Sequence, residues 1–278
     1  MKKVFLGIMG LMGLMNLVGC DKIAPEEYTI YAGPVIEWAA GTAFTPVQRA
    51  YVEKYTGPKC PNCPAADVTL DAAHHQYNDA LVVISVNHPK GQGVPFPGDP
   101  DLRTDAGTAW DTYFGINAIP AAFINRRTAT QYSGAMSNIT ADIGTALQES
   151  PVVGVEVAAA DPDDDGKVDI TVDLVFAQSC TSPLTLTIAL TADSVPYRQI
   201  NGSEIIDDYP HNHMLLGVAT DIWGADVDYT PGEARHASLN YTLPQLPQGV
   251  TKNNCNIVAL VSDKQSREVL NCAQCKIN

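Results

Sequence analysis

The sequence predicts an α/β domain followed by an all-β sandwich domain. Three observations carry that expectation. A Cys-x-x-Cys pair, Cys60 and Cys63, stands between an apolar run and a helical stretch. Residues 81–86, Leu-Val-Val-Ile-Ser-Val, are nearly continuously apolar and β-branched, the pattern of a central strand buried on both faces. After Pro151 the chain changes to short Val-, Ile- and Thr-rich runs separated by turn residues, and no helical period appears. The chain has 278 residues, for which two domains are the natural expectation. The boundaries read as a signal segment 1–20, a tether and irregular lead-in 21–44, an α/β domain 45–150 and a sandwich 151–278.

In the tether, residues 28–38 are expected to form one edge strand. Residues 50–55 form the first strand of the α/β domain. Residues 65–77 form the helix after the cysteines, with Val68, Leu70, Ala73 and Tyr77 as an apolar face at helical spacing. Residues 89–100 are a Gly/Pro-rich loop leaving the carboxyl end of the central strand, the edge at which open α/β sheets bind ligands. With His88, Phe96 and Trp110 it is either a groove wall or a plain surface loop. Residues 101–114 read as a helix, 121–125 and 130–133 as an antiparallel pair around Arg126-Arg127, and 139–148 as the closing helix. The sandwich strands are expected at 153–157, 168–176, 184–190, 214–219, 236–243, 256–262 and 267–271.

Met1-Lys2-Lys3, then an apolar run to Val18 and Leu17-Val18-Gly19-Cys20, has the basic start, short apolar core and small residue of an export signal. The run is short for a transmembrane helix. The formal charge of −14 and the lack of a basic run exclude nucleic acid as a natural partner. Of seven cysteines, Cys20 belongs to the signal. The six left are an even number, which in an oxidising compartment reads as disulfides.

The chemistry is expected at Cys60-Pro61-Asn62-Cys63-Pro64. A thiol at a helix N-terminus meets unpaired backbone N–H groups and partial positive charge, which favour the thiolate. Pro61 restricts the turn, Asn62 is small and polar, and Pro64 suits the first helical turn because no N–H is needed there. Cys-x-x-Cys alone also serves zinc sites and structural disulfides. A second segment, Phe114-Gly115-Ile116-Asn117-Ala118-Ile119-Pro120-Ala121, follows in the right order. Together the two segments resemble thioredoxin. The resemblance implies a cis Ile119–Pro120 bond lying against the cysteines, where the adjacent backbone can receive a substrate chain as an added strand. It also implies a buried acid on the preceding strand. Glu53 is the nearest residue of that kind, one position out of register.

Other candidates are weaker. Asp161, Asp163, Asp165 and Asp169 with Gly166 have the alternate-oxygen spacing of a calcium loop, but Val172 stands where a bidentate acid belongs. A solvated hairpin tip closed by Asp165-Gly166 is the favoured reading, so no metal is expected. His211 and His213 at i, i+2 would share a face on a strand, but no third ligand accompanies them. His74 and His75 are expected to be surface or packing residues. Cys272 and Cys275 form a second Cys-x-x-Cys at a strand end. A hairpin around residues 264–266 would bring Cys255 near Cys275 and leave Cys180 for Cys272. Zinc held by these four is the competing possibility, disfavoured in an oxidising compartment.

The Leu-x-Gly-Cys ending is similar to a bacterial lipoprotein signal, in which the cysteine, here Cys20, is lipidated. A narrower resemblance rests on Cys20, on Glu53-Lys54-Tyr55-Thr56-Gly57 leading into Cys60–Ala65, on the Pro120 segment, on His211-Asn212-His213 and on Ile257–Val261 with Val269-Leu270. These segments resemble the outer membrane protein 28 related family of exported Bacteroidota lipoproteins. The resemblance implies a lipid-anchored protein of the cell envelope, at the outer membrane, that contacts the membrane through its lipid. The expected function is thiol–disulfide exchange with protein thiols and disulfides. Cys60 would be the nucleophile, Cys63 the resolving cysteine and Pro120 a catalytic-site residue, with Ile119, Pro61 and Asn62 positioning the substrate and no cofactor. The alternative is a non-catalytic binding or assembly lipoprotein in which Cys60–Cys63 is a structural disulfide.

Overall fold

Strand β1 (Trp38–Ala40) enters first, and β2 (Ala50–Thr56) follows after an irregular stretch. The computed structural model describes residues 35–180 and 182–277. The expected signal segment, Cys20 and most of the expected edge strand at 28–38 lie outside these residues. Helix α1 (Cys63–Tyr77) leads to β3 (Leu81–Asn87), which pairs parallel with β2 from Ala50↔Leu81 to Thr56↔Asn87. Both strands are buried along their whole length; β3 is apolar and β-branched, whereas β2 also buries the charged Glu53 and Lys54. Helix α2 (Asp105–Tyr113) starts four residues later than its sequence suggests, because the Thr104 hydroxyl accepts from the Gly107 N–H and sets the N-cap there. Strand β4 (Ala121–Ile124) runs antiparallel to β2, β5 (Gln131–Ser133) pairs with β4, and α3 (Ile139–Ala146) ends this mixed α/β region.

The rest is predominantly β. It comprises β6 (Val153–Ala159), β7 (Lys167–Phe176), β8 (Leu184–Ala192), β9 (Val195–Asn201), β10 (Glu204–His211), β11 (Met214–Val218), β12 (Ala225–Asp226), β13 (Ala234–Thr242), β14 (Cys255–Asp263) and β15 (Val269–Lys276). The strand order β15-β14-β8-β11-β3-β2-β4-β5 forms one sheet, with β12 added beside β8. Strand β11 is the junction: it lies antiparallel to β8 and, at Met214↔Ser85, parallel to β3. The sheet therefore continues past Pro151, and the described residues form one compact unit. A second sheet has the order β1-β13-β7-β6, and β9 with β10 makes a separate hairpin.

Three apolar clusters hold these layers. Val52, Val83 and Ile124 pack with Leu70 of α1 and Ile139 and Ile143 of α3. The alternate residues of the same strands, among them Tyr51, Val82 and Ile84, pack with Trp110 of α2 and with Val258 and Leu260 of β14. Ile257 and Ala259 of β14 face Val155, Val172 and Leu174 of the second sheet. Strict alternation along β14 thus divides one strand between two cores. Among the described residues no helix is long and apolar enough to cross a membrane.

Candidate functional site

Strand β2 ends at Thr56, and Gly57 opens the turn to the cysteines. A side chain at Gly57 would strike the main chain at Gln92 and Gly93, so glycine is required for the loop 89–104 to lie alongside. The Lys59 N–H donates to the Gln92 carbonyl at 2.9 Å, and the Cys60 N–H to the Gly57 carbonyl at 3.0 Å. Helix α1 then begins at Cys63, two residues before the expected start, with Pro64 in its first turn. Asn62 at the N-cap makes no side-chain capping bond, and the first turn carries no acid. The partial positive charge of the helix start is left for the sulfur atoms. Cys60 and Cys63 are joined in a disulfide, with Cα atoms 5.4 Å apart.

Both cysteines are buried, Cys60 at 1% exposure and Cys63 at 0%, whereas Asn62 is exposed and Pro61 half-buried. The β9–β10 hairpin lies against the loop that carries Cys60. The Ile200 N–H donates to the Pro58 carbonyl at 2.8 Å and the Gly202 N–H to the Pro61 carbonyl at 3.0 Å. The buried Gln199 amide donates to the Cys60 carbonyl at 2.9 Å. These contacts are absent from the sequence reading. The Ile119–Pro120 bond is cis and Pro120 is buried. Because Ala121 opposes Tyr55, Pro120 lies at the end of β2 that leads to the cysteines.

Glu53 does not serve the cysteines. It points to the face away from α1, where its carboxylate accepts from the Tyr51 and Tyr55 hydroxyls at 2.6 and 2.5 Å and from Arg126 Nε and Nη2 at 2.8 and 2.7 Å. Burial first, then the charge of Glu53, raises both tyrosine pKa values well above normal, so the phenols stay protonated donors. Arg126 lies over Trp110 at 4.4 Å, and Trp110 is core, not groove wall. Lys54, the next residue, is on the α1 side and pairs with Asp67, whose other oxygen accepts from Tyr209 of β10 at 2.9 Å. His88, just before the loop 89–104, is held by Asp111 at 2.7 Å, and Phe96 within the loop lies under Lys59 and Arg198 at 5.4 and 4.9 Å.

The two histidines of the His-Asn-His segment do not share a strand face. His211 ends β10, whereas His213 has a φ of 58° and lies between strands, with its N–H on Asp193 and its ring 5.2 Å from His74. Burial holds both imidazoles neutral, with pKa values lowered to about 4. Cys180, Cys255, Cys272 and Cys275 are free thiols. The expected Cys255–Cys275 and Cys180–Cys272 pairs are not formed. The register sets Cys275 opposite Ile257 and Cys272 opposite Leu260, so Cys255 and Cys275 are diagonal neighbours, a spacing wider than a disulfide bridges. Burial raises their pKa values, to about 12 for Cys272 and about 11 for Cys255 and Cys275, which leaves them poor nucleophiles.

In the acidic loop, Asp163 accepts from the Asp165 and Lys167 N–H groups, Asp161 pairs with Lys252 at 2.5 Å, and Asp169 accepts from Asn240. It is the tip between β6 and β7. Among the described residues no three His, Cys, Asp or Glu side chains converge on a metal position.

Several known proteins resemble this chain. HBP35 of Porphyromonas gingivalis is similar in structure with a TM-score of 0.67 and 17% identity, over 84% of this chain and 76% of that one. A structural-genomics target from Agrobacterium tumefaciens matches with a TM-score of 0.51 and 16% identity, over 85% of this chain and 97% of that one. A domain of the outer membrane lipoprotein Omp28 from Porphyromonas gingivalis aligns over 47% of this chain and 91% of that domain at 21% identity, with a TM-score of only 0.33. No curated protein sequence matches. The family model described as outer membrane protein Omp28 matches residues 107–278, a span that holds the cis proline and the hairpin and starts after the cysteines. That span is more than half of the chain, which supports a cell-envelope location, and the chain belongs to the Omp28 family.

Proposed function

We propose that this protein is an envelope thiol–disulfide oxidoreductase of thioredoxin type, lipid-anchored through Cys20 at the outer membrane, with a β-sandwich continuing its sheet. One observation carries the reading: a Cys-x-x-Cys disulfide at an uncapped helix N-terminus, at the same end of the sheet as a cis proline. In the reduced protein the Cys60 thiolate attacks one sulfur of a substrate disulfide. A Cys60–substrate mixed disulfide forms, and the other substrate sulfur leaves as a thiolate and takes a proton. Cys63, losing its proton, then attacks the Cys60 sulfur. The Cys60–Cys63 bond forms and the second substrate thiol departs. Two electrons and two protons pass to the substrate; the reverse sequence oxidises a substrate dithiol. The helix start stabilises the Cys60 thiolate, Pro120 and Ile119 receive the substrate backbone, and Pro61 and Asn62 shape the approach.

The burial of both cysteines favours a second reading, a structural disulfide in a binding or assembly lipoprotein. The reduction potential of Cys60–Cys63 in the full chain decides between them. A value between about −120 and −270 mV, where exchange catalysts lie, supports the oxidoreductase, and one below about −300 mV supports the structural bond. With exchange shown, Cys60→Ser should abolish reduction of a test protein disulfide. An unchanged rate removes Cys60 from the mechanism.

A further inference from the structure

A sulfur atom must be reached before it can exchange, and Cys60 and Cys63 are at 1% and 0% exposure. The loop that carries Cys60 is bonded to a chain-distant element, the inner strand of a hairpin more than 130 residues away in sequence. We propose that the β9–β10 hairpin is a strap over the Cys60–Cys63 pair, and that a partner sulfur reaches Cys60 only when the strap lifts.

The strap holds the cysteine loop as an added strand would, through its own edge. Ile200 and Gly202 donate main-chain N–H groups to the Pro58 and Pro61 carbonyls, and Gln199 fills the gap between them with its side chain on the Cys60 carbonyl. A protein substrate that pairs its backbone with this loop has to displace these bonds. Those bonds are one of two sets of ties. In the other, Arg198 grips Asp99 at 2.8 Å and the Pro97 carbonyl at 2.8 Å, and Tyr209 reaches Asp67 on α1 at 2.9 Å. Tyr197 adds a hydroxyl bond to the Gln248 carbonyl at 2.5 Å, and Arg198 also lies over the Phe96 ring at 4.9 Å.

The rest of the hairpin is built to move as a unit. Its roots, Val195 and His211, are buried, whereas its tip and outer strand are exposed at Gly202, Ser203, Glu204, Ile205, Asp207 and Asp208. Strand β10 pairs with β9 alone, and a bulge between Ile206 and Tyr209 marks where the outer strand bends away from its partner. Val195 and Tyr197 anchor the root in the core and Gln199 is buried, but the tip and outer strand have few apolar contacts, which places them at the low-stability end of a structure. The role of the strap rests on the exchange reading above; its existence is tested without it.

The test uses the full chain, reduced, with iodoacetamide as probe and the alkylation of each cysteine followed by mass. Cys272, buried in the sheet, reports global opening. In the wild type Cys60 should react far more slowly than an unprotected peptide thiol. Tyr209→Phe and Arg198→Ala should each speed Cys60 about 2–10-fold, the worth of one polar contact, and the double variant should multiply the effects while Cys272 stays slow. Tyr209→Phe keeps the ring, so it retains the fold if Arg198→Ala does not. Wild-type Cys60 reacting like a free peptide thiol overturns the strap, as do variants that leave Cys60 unchanged or speed Cys60 and Cys272 together. A potential below about −300 mV with the strap effect intact would sink the oxidoreductase instead and leave the strap standing.

Discussion

Glu53 and Lys54 are adjacent in β2 and belong to different parts of the molecule. One step along a strand reverses the face, so a spacing that misses by one residue misses entirely. Two tyrosines at i±2, Tyr51 and Tyr55, were the legible signal of where Glu53 goes, because the same period puts their hydroxyls beside its carboxylate. Arg126→Ala should therefore cost about 3–5 kcal/mol in a urea titration by leaving Glu53 buried without its cation, and should leave the Cys60–Cys63 potential unchanged. The histidines give a pH dependence. His211 and His213 are neutral down to about pH 4 in the fold, against about 6.5 in an unfolded chain. Between those values the unfolded state binds protons that the native state does not, so stability falls as the pH falls through that window. The full effect is of the order of 3 kcal/mol per histidine. Asp71 and Asp111, whose pKa values are raised by burial, act in the opposite sense. The check is the difference in thermal midpoint between pH 7.5 and 5, which should shrink in His211→Gln relative to wild type.

At the level of elements, the sequence was most readable where a segment buries one regular face. Strands β2 and β3 and the β14–β15 hairpin were visible in apolar runs, and the cysteine motif was visible in spacing; on α1 the expected face held at Leu70 and Ala73 but not at Val68, which is exposed while Cys63, Pro64 and Ala66 are buried. The β9–β10 hairpin was not, because Val195–His211 has no apolar alternation: one side covers a polar loop and the other meets solvent. Its two-residue turn was nonetheless written as Gly202-Ser203 between the paired Asn201 and Glu204, a glycine-first hairpin signal, with Gly202 at a φ of 61°. The free thiols were misjudged because the pairing of Cys255 with Cys275 depends on a two-residue register that a bulge between Val261 and Ser262 helps to set. Asn271 shows how elements are tied across the chain. Its side-chain oxygen accepts from the Arg49 and Cys272 N–H groups, and its amide donates to the Val47 and Val153 carbonyls at 2.9 and 2.7 Å. One side chain thus joins the approach to β2, the start of β6 and strand β15. Asn271→Ala strands several buried backbone groups and should destabilise by at least about 3 kcal/mol, read as a lowered denaturation midpoint with an unchanged slope.

For the whole molecule, the decisive feature is that strands β11, β8, β14 and β15 continue the sheet that β2 and β3 begin. Sequence patterns show which residues are in strands and are silent on which strands neighbour one another, so the expected division at residue 150 carried no hint of β11 beside β3. A chain cut after residue 150 leaves β3 with an open edge and Tyr51, Tyr55 and Val82 without Val258 and Leu260. Such a fragment should show little protection from proteolysis, and the full chain should unfold in a single transition when followed by both calorimetry and near-ultraviolet circular dichroism. Two independent transitions would contradict the shared sheet. The same topology sets a chronology. During synthesis residues 50–63 leave the ribosome well before residues 195–276 exist, and a sheet shared between the two halves closes only when both are present. For that interval the cysteines stand uncovered beside unpaired strands, and the long-range pairings that bury them are the slow ones. A newborn copy is consequently open to any oxidant or thiol around it, whereas a finished one admits only what its hairpin lets through.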